Sequence, residues 1–139
     1  TPTVYAGDEL GLEGVKEDRA GGDDAVRPEL AASPPSDAEL DANPAFALHR
    51  ELVGIRRRHP WLHRAQTEVR VISDTVMTYV SSSGEDALEI ALSADDAPVE
   101  IVLDEPVTWL AGAGDLASDG VTLRLEPHGW ACLERLARA

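Results

Sequence analysis

Short alternating runs of apolar and polar residues fill the C-terminal half of the chain, and they predict about seven β-strands. In the clearest run, large apolar side chains occupy every second position, at Leu88, Ile90 and Leu92. Turn segments rich in Ser, Asp, Gly and Pro, such as residues 93–96, separate the runs. Many short strands with local turns indicate an antiparallel Greek-key β-sandwich over residues 67–139.

Two helix-start signals precede this β region. Ser36 and Glu39 have the spacing of a capping box, which predicts a short helical turn. Asn43 then offers an N-cap, and Pro44 occupies the first helical position, where its missing N–H costs nothing. The main helix is therefore expected to begin at Pro44.

The main predicted helix carries one apolar stripe. Leu48, Leu52 and Ile55 recur at spacings of four and three residues, which places them on one helix face. His59 and Pro60 end the helix, because a residue before proline avoids the helical conformation. On a small domain an exposed apolar stripe of this kind usually packs against another surface. We expect it either to pack onto the β-domain or to cause self-association.

The first 35 residues are polar and rich in glycine, and they predict a long irregular segment. Only Thr3–Ala6 has the composition of a strand. Five acids, which are Glu13, Glu17, Asp18, Asp23 and Asp24, suggest calcium because hard cations bind clustered oxygens. They lack the spacing of a calcium loop, and the four histidines lack a zinc pattern. We predict no metal and no cofactor.

Charge and cysteine content narrow the function classes further. The chain has 26 acidic and 12 basic residues, a net charge of −14, which argues against nucleic acid and anionic membrane surfaces as partners. No apolar run approaches the roughly 20 residues that a membrane-spanning helix needs. Cys132 is the single cysteine, so an intrachain disulfide is excluded. A reducing compartment fits, no signal peptide is evident, and we expect a cytoplasmic protein.

Four segments give the chain a resemblance to a known family. Residues 1–11 resemble the Pro-x-x-Tyr-x-Gly-Asp-Glu-x-Gly motif of the α-amylase superfamily of glycoside hydrolases, which forms the last strand of the (β/α)8 barrel. Residues 21–28 are similar to a loop whose Arg-Pro lies near the substrate cleft. Residues 52–62 are similar to the last barrel helix and the chain leaving it. Residues 127–133 resemble the final strand of the C-terminal β-domain.

The resemblance implies a division of the chain and a parent enzyme. Residues 1–66 would be the end of a barrel, and residues 67–139 the C-terminal β-domain. The parent would act on α-glucans or oligosaccharides, with the missing barrel as the partner of this chain. The three catalytic acids of the family follow barrel strands four, five and seven, so none is expected here. The chain itself is predicted to be non-catalytic and to stabilise the barrel.

The resemblance implies a role on the substrate side of the parent enzyme for three residues. Asp8 and Glu9 would lie at the rim of an intact barrel, where they could position a loop or bind a sugar hydroxyl. Arg27 would lie near the substrate. Several relatives carry Met-x-Trp after this arginine, whereas Glu29 and Leu30 stand here.

The alternative to a severed enzyme is a free-standing carbohydrate-binding or structural module. Such a module needs an exposed aromatic platform that stacks on a sugar ring. Trp109 is the candidate, because Trp130 alternates within a strand as a core residue and Trp61 follows the helix end at the joint with the sandwich. A protein-interaction domain has only the negative charge in its favour.

Overall fold

The computed structural model describes residues 3–27, 29 and 33–136. Thr1, Pro2, Pro28 and Leu30, which belong to the segments discussed above, lie outside the described residues. The chain divides into two compact units, the first up to Gly54 and the second from Ile55. This boundary falls inside the main helix. The division at residues 66 and 67, which rests on the family resemblance, stays a prediction.

The first unit consists of short helical elements joined by irregular chain. Its described residues form two 3-10 helices, Asp8–Leu10 and Gly22–Val26, then helix α1, Asp37–Ala42, and helix α2, Pro44–Arg58. The expected strand at Thr3–Ala6 is wrong, since these residues form no strand. The Asp8 N–H donates to the Tyr5 carbonyl at 3.0 Å, so the chain turns where a strand would continue.

Both predicted helix starts are confirmed. Ser36 and Glu39 form a complete capping box at α1. At α2 the Asn43 Oδ1 accepts a hydrogen bond from the Phe46 N–H at 3.0 Å. The same amide donates through Nδ2 to the Leu10 carbonyl at 2.9 Å, so Asn43 also holds the first 3-10 helix.

We expect Asn43→Ala to cost about 1 kcal/mol through the lost cap and to release the segment around Leu10. Limited proteolysis between residues 7 and 12 should become faster. Asn43→Asp is the matched control, because it keeps the cap acceptor and removes only the donor to Leu10. If both variants are cleaved at the wild-type rate, Asn43 does not hold this segment.

The described residues of the second unit, 55–136, form eight antiparallel strands. Their bounds are β1 Gln66–Ile72, β2 Val76–Ser83, β3 Asp86–Ser93, β4 Val99–Val102, β5 Val107–Gly112, β6 Gly114–Leu116, β7 Thr122–Leu125 and β8 Trp130–Arg135. One sheet has the order β1-β2-β3-β8-β5, and the other has the order β4-β7-β6. A 3-10 helix, Pro60–His63, precedes β1.

The connections follow a Greek key. Strand β5 leads to β6 in the other sheet, β6 pairs with β7, and β8 returns to pair with β5. The last of four consecutive strands thus lies beside the first, which defines the motif. The predicted mainly-β fold, an antiparallel sandwich after a helix and an irregular N-terminal segment, is confirmed.

The core lies between the two sheets. Its buried residues come from both sheets and from the loop after β4, and they are Ala91, Ile101, Leu103, Val107, Leu123, Leu125, Ala131 and Leu133. Since about 25 cal/mol is gained per Å² of buried apolar surface, burial of this cluster stabilises the second unit.

A second cluster covers part of the outer face of the five-stranded sheet. Its buried members are Ile55, Leu88, Ala111 and Cys132, and its half-buried members include Trp61, Leu62, Ile90 and Trp130. Within this unit Ile55 therefore packs onto the β-domain, which was one of the two outcomes expected for the stripe. Leu52, in the first unit, stays exposed and Leu48 is half-buried. Self-association through Leu48, Leu52 and Ile55 would have to proceed without Ile55, and it stays a prediction.

Candidate functional site

Asp8 and Glu9 lie in a 3-10 helix instead of the expected strand. Gly7 precedes them with a φ of 104°, a left-handed conformation that favours glycine. The Gly7 N–H donates to the Glu9 Oε2 at 2.9 Å, so the Glu9 carboxylate holds its own turn, whereas Asp8 is exposed. This geometry gives Glu9 a local structural role.

Arg27 is exposed and directly follows the second 3-10 helix. Its N–H donates to the Asp24 carbonyl at 3.1 Å, which closes that helix. Within the described ranges, no hydrogen bond or ion pair joins Asp8, Glu9 and Arg27 to one another. The structure thus does not assemble these three residues into a site, and their substrate-side role in an intact parent stays a prediction.

The acids of the first segment are partly paired with bases. Lys16 Nζ lies 2.9 Å from an Asp23 carboxylate oxygen, and Arg19 pairs with Glu17. Among the described residues, no group of three or more His, Cys, Asp or Glu side chains is arranged to hold a metal ion.

The three tryptophans are all half-buried in the second unit. Trp109, on β5, packs against the core between the sheets. Trp61 and Trp130 pack against the cluster on the outer face, as expected for a joint and a core residue. Because part of the Trp109 ring packs against the core, only the exposed part of the ring could contact a sugar. Its role as a sugar-stacking platform stays a prediction.

No pattern in the sequence indicates a buried ionic network that joins β3, the end of β8 and the loop before β5. Arg135 donates from Nε and Nη2 to Glu89 Oε2 at 3.2 and 3.1 Å, and its Nη1 lies 3.3 Å from a Glu105 carboxylate oxygen. Glu89 is only 2% exposed. Burial raises the pKa of Glu89, and the hydrogen bonds from Arg135 oppose this shift.

An open pocket of about 350 Å³ lies over this network. It is lined by Ser82, Gly84, Glu85, Ala87, Glu105, Arg135 and Leu136. Glycoside cleavage needs one carboxylate at the anomeric carbon and one carboxylic acid at the leaving oxygen. Two carboxylates, Glu85 and Glu105, line the pocket, and Glu105 is held by Arg135, whereas Glu89 is buried and is not part of the lining. The network is a structural element of the sandwich.

Within the second unit, the His59 ring contacts both the last turn of α2 and strand β8. Its Nδ1 lies 2.7 Å from the Ile55 carbonyl oxygen, and its Nε2 lies 3.2 Å from Glu134 Oε1. The ring also meets Trp61 edge to face, with 6.0 Å between the ring centroids. This buried histidine thus closes the outer-face cluster.

Cys132 is a buried free thiol on β8. Burial raises the pKa of the Cys132 thiol to about 11, and the negative charge of Glu134 adds to this shift. The thiolate is the reactive form, so we expect iodoacetamide at neutral pH to react about 100-fold more slowly than with the unfolded chain. Addition of urea should restore the fast rate. A fast reaction in the native protein would contradict the buried position.

The architecture is similar to part of several solved structures. It matches trehalulose synthase MutB of Pseudomonas mesoacidophila MX-45 at 17% identity and a TM-score of 0.59, over 70% of this chain and 19% of that one. A mutant of trehalulose synthase MutB in complex with Tris matches at 16% identity and a TM-score of 0.61, over 86% of this chain and 24% of that one. Isomaltulose synthase of Erwinia rhapontici NX5, in complex with its natural substrate sucrose, matches at 16% identity and a TM-score of 0.56, over 65% of this chain and 17% of that one.

These enzymes belong to the α-amylase family. The predicted resemblance is confirmed at the level of the fold. The chain spans only about a fifth of the length of the structures it matches, as the C-terminal region of such an enzyme would. No family model matches the sequence, and neither does any curated protein. Among the described residues, no helix has the length and hydrophobicity needed to cross a membrane.

Proposed function

We propose that this chain is the C-terminal, non-catalytic part of a larger α-amylase-superfamily enzyme, in which it stabilises the catalytic barrel. The observation that carries the proposal is the asymmetry of the structural matches. They cover 65–86% of this chain but only 17–24% of the matched enzymes. Because a fold alone does not imply a function, the contacts of the candidate residues also matter.

The local contacts of the candidate acids support the non-catalytic role. Asp8 is exposed, Glu9 bonds its own turn, and Glu89 is buried against Arg135. The carboxylates of Glu9 and Glu89 are thus engaged in contacts that hold their own unit, whereas a glycosidase needs a free pair that flanks the scissile bond. The catalytic barrel of the parent is then the partner of this chain.

The matched enzymes suggest the substrate class. Sucrose is the substrate named for the isomaltulose synthase and is bound in a trehalulose synthase complex. We infer that the parent acts on oligosaccharides of this size in preference to long α-glucans, by hydrolysis or by transfer. We propose a cytoplasmic location, which the single free thiol of Cys132 supports.

The proposal is tested by the mass of the polypeptide that carries this sequence in its native cells. We expect a species several times heavier than 14.9 kDa that converts sucrose or maltooligosaccharides. The chain of 139 residues should convert neither sugar. A native species near 14.9 kDa whose tryptophan fluorescence is quenched by maltooligosaccharides would contradict the proposal and support a free-standing binding module.

A further inference from the structure

The buried His59 ring presents both of its nitrogens to oxygen acceptors. Nδ1 lies 2.7 Å from the Ile55 carbonyl oxygen, and Nε2 lies 3.2 Å from Glu134 Oε1. A neutral imidazole carries one N–H and donates to only one of these oxygens, whereas the imidazolium carries two N–H groups. Only the charged ring therefore satisfies both contacts at once.

The two contacts differ in how firmly the acceptor is held. The Ile55 carbonyl belongs to the last turn of α2, and it is the nearer of the two oxygens. Glu134 lies on β8, and its side chain is 47% exposed, so its carboxylate can turn into solvent. When the ring loses one proton, we expect Nδ1–H to keep its bond to Ile55. The lone pair of Nε2 then faces the carboxylate of Glu134, and this contact is lost.

Among the described residues, Glu134 is the charged side chain in direct contact with the ring. Burial raises the pKa of the Cys132 thiol on β8 to about 11 and also raises the pKa of Tyr79 on β2, so both groups are uncharged near neutral pH. Arg135 is paired with Glu89. The cations on the adjoining turns are exposed, and they are Arg56, Arg57, Arg58, His63 and Arg64. The charge of Glu134 thus decides how the contact responds to protonation.

We propose that His59 is a proton-operated clamp between the end of α2 and strand β8. The clamp is closed when the imidazolium donates to both Ile55 and Glu134, and loss of the Nε2 proton releases β8. The charge of an imidazole changes between about pH 5 and 8, so the clamp responds in this range. The inference concerns contacts inside the second unit and does not depend on the proposed function.

The clamp controls access to the outer-face cluster. Ile55 is buried in this cluster together with Cys132, and Trp61 and Leu62 pack against it. The His59 ring lies between Ile55 and Trp61 in sequence and contacts both. Release of β8 from His59 should therefore make transient exposure of Cys132 more frequent.

The nitrogen chemical shifts of the His59 ring test the protonation states, because they distinguish the imidazolium from each neutral tautomer. In the chain of 139 residues we expect the imidazolium at about pH 5.5 and the Nδ1–H tautomer at about pH 8.5. A neutral ring at the lower pH would overturn the inference. The Nε2–H tautomer at the higher pH would also overturn it, because Nε2 would then keep its bond to Glu134.

Cys132, the single cysteine of the chain, reports the opening of the clamp. A pyridyl disulfide reagent reacts with thiols from acid to alkaline pH. The rate in the urea-unfolded chain divided by the rate in the native chain gives the protection of Cys132, and the ratio cancels the pH dependence of the reagent. We expect this protection to fall about threefold from about pH 5.5 to about pH 8.5, as for the loss of one half-exposed ion pair. Constant protection would overturn the inference.

A substitution pair assigns this fall in protection to the contact with Glu134. In Glu134→Gln the side-chain amide accepts from the charged ring through its oxygen or donates to the neutral ring through its nitrogen, so the contact persists at both pH values. We expect its Cys132 protection to be independent of pH. His128→Gln is the matched control, because it removes the exposed pair of His128 and Asp96 and should retain the threefold fall. A fall of the same size in Glu134→Gln would overturn the clamp.

Discussion

Arg135→Met should lower the free energy of unfolding by about 3–5 kcal/mol, the cost of leaving a buried charge without its partner. The guanidinium is itself largely buried and makes two hydrogen bonds to the buried Glu89 carboxylate. It also pairs with Glu105. Removing it leaves Glu89 with the full desolvation penalty of an ionised group. Urea unfolding followed by circular dichroism measures the loss.

The loss should depend on pH in a defined direction. Burial raises the pKa of Glu89 in the folded protein above its ordinary value, and the loss of Arg135 raises it further. A raised folded pKa means that the native state binds the proton more tightly than the unfolded state. The variant is therefore most stable below the unfolded pKa of Glu89. It should lose stability as the pH rises through the folded value, more steeply than the wild type.

Arg124→Met is the matched control for this prediction. Arg124 pairs with Glu100 at 3.1 Å between β7 and β4, but both side chains are more than half exposed. Exposed ion pairs contribute about 0–1 kcal/mol, so this variant should remain near the wild type. In the double variant Glu89→Leu with Arg135→Met, removal of the buried charge should recover much of the stability. An equal loss in both arginine variants would contradict a special role for the buried network.

The sequence predicted the elements of the fold better than the faces on which their residues lie. The alternation of Leu88, Ile90 and Leu92 correctly predicts β3, but these side chains point to the outer face. Glu89 and Ala91 point into the core between the sheets. Buried residues lie on both faces of this strand, since Leu88 is 3% and Ala91 0% exposed, and alternation alone does not tell which face lies between two sheets. Leu92 is one consequence, because it lies on the outer face and is 37% exposed.

The missed features have physical reasons as well. Strand β6, Gly114–Leu116, is three residues long, which is too short for a period of two to be recognised. The network of Arg135 and Glu89 joins positions 46 residues apart, so no local pattern signals it. The turn at Asp8–Leu10 was missed because the family motif implies a strand, and a strand forms only where a neighbouring strand supplies hydrogen bonds.

The second large effect is expected at the centre of the core. Leu123 lies on the middle strand of the three-stranded sheet, opposite Ile101 on one side and Leu116 on the other, and it is 0% exposed. Leu123→Ala should lower the free energy of unfolding by about 2–5 kcal/mol, because it removes buried methyl groups and leaves a cavity. A domain of this size has roughly 5–15 kcal/mol in total, so the variant approaches the limit of folding.

Val102→Ala is the control for this cavity, since Val102 lies on the adjacent strand β4 and faces solvent. Surface substitutions of this kind change stability by about 0.5 kcal/mol or less. The difference between the two variants, measured as unfolding midpoints in urea at equal slopes, isolates the contribution of the core between the sheets. If Leu123→Ala were no more destabilising than Val102→Ala, the packing of the two sheets would not be the source of stability. The second unit would then depend on the outer-face cluster of Ile55, Leu88, Ala111 and Cys132.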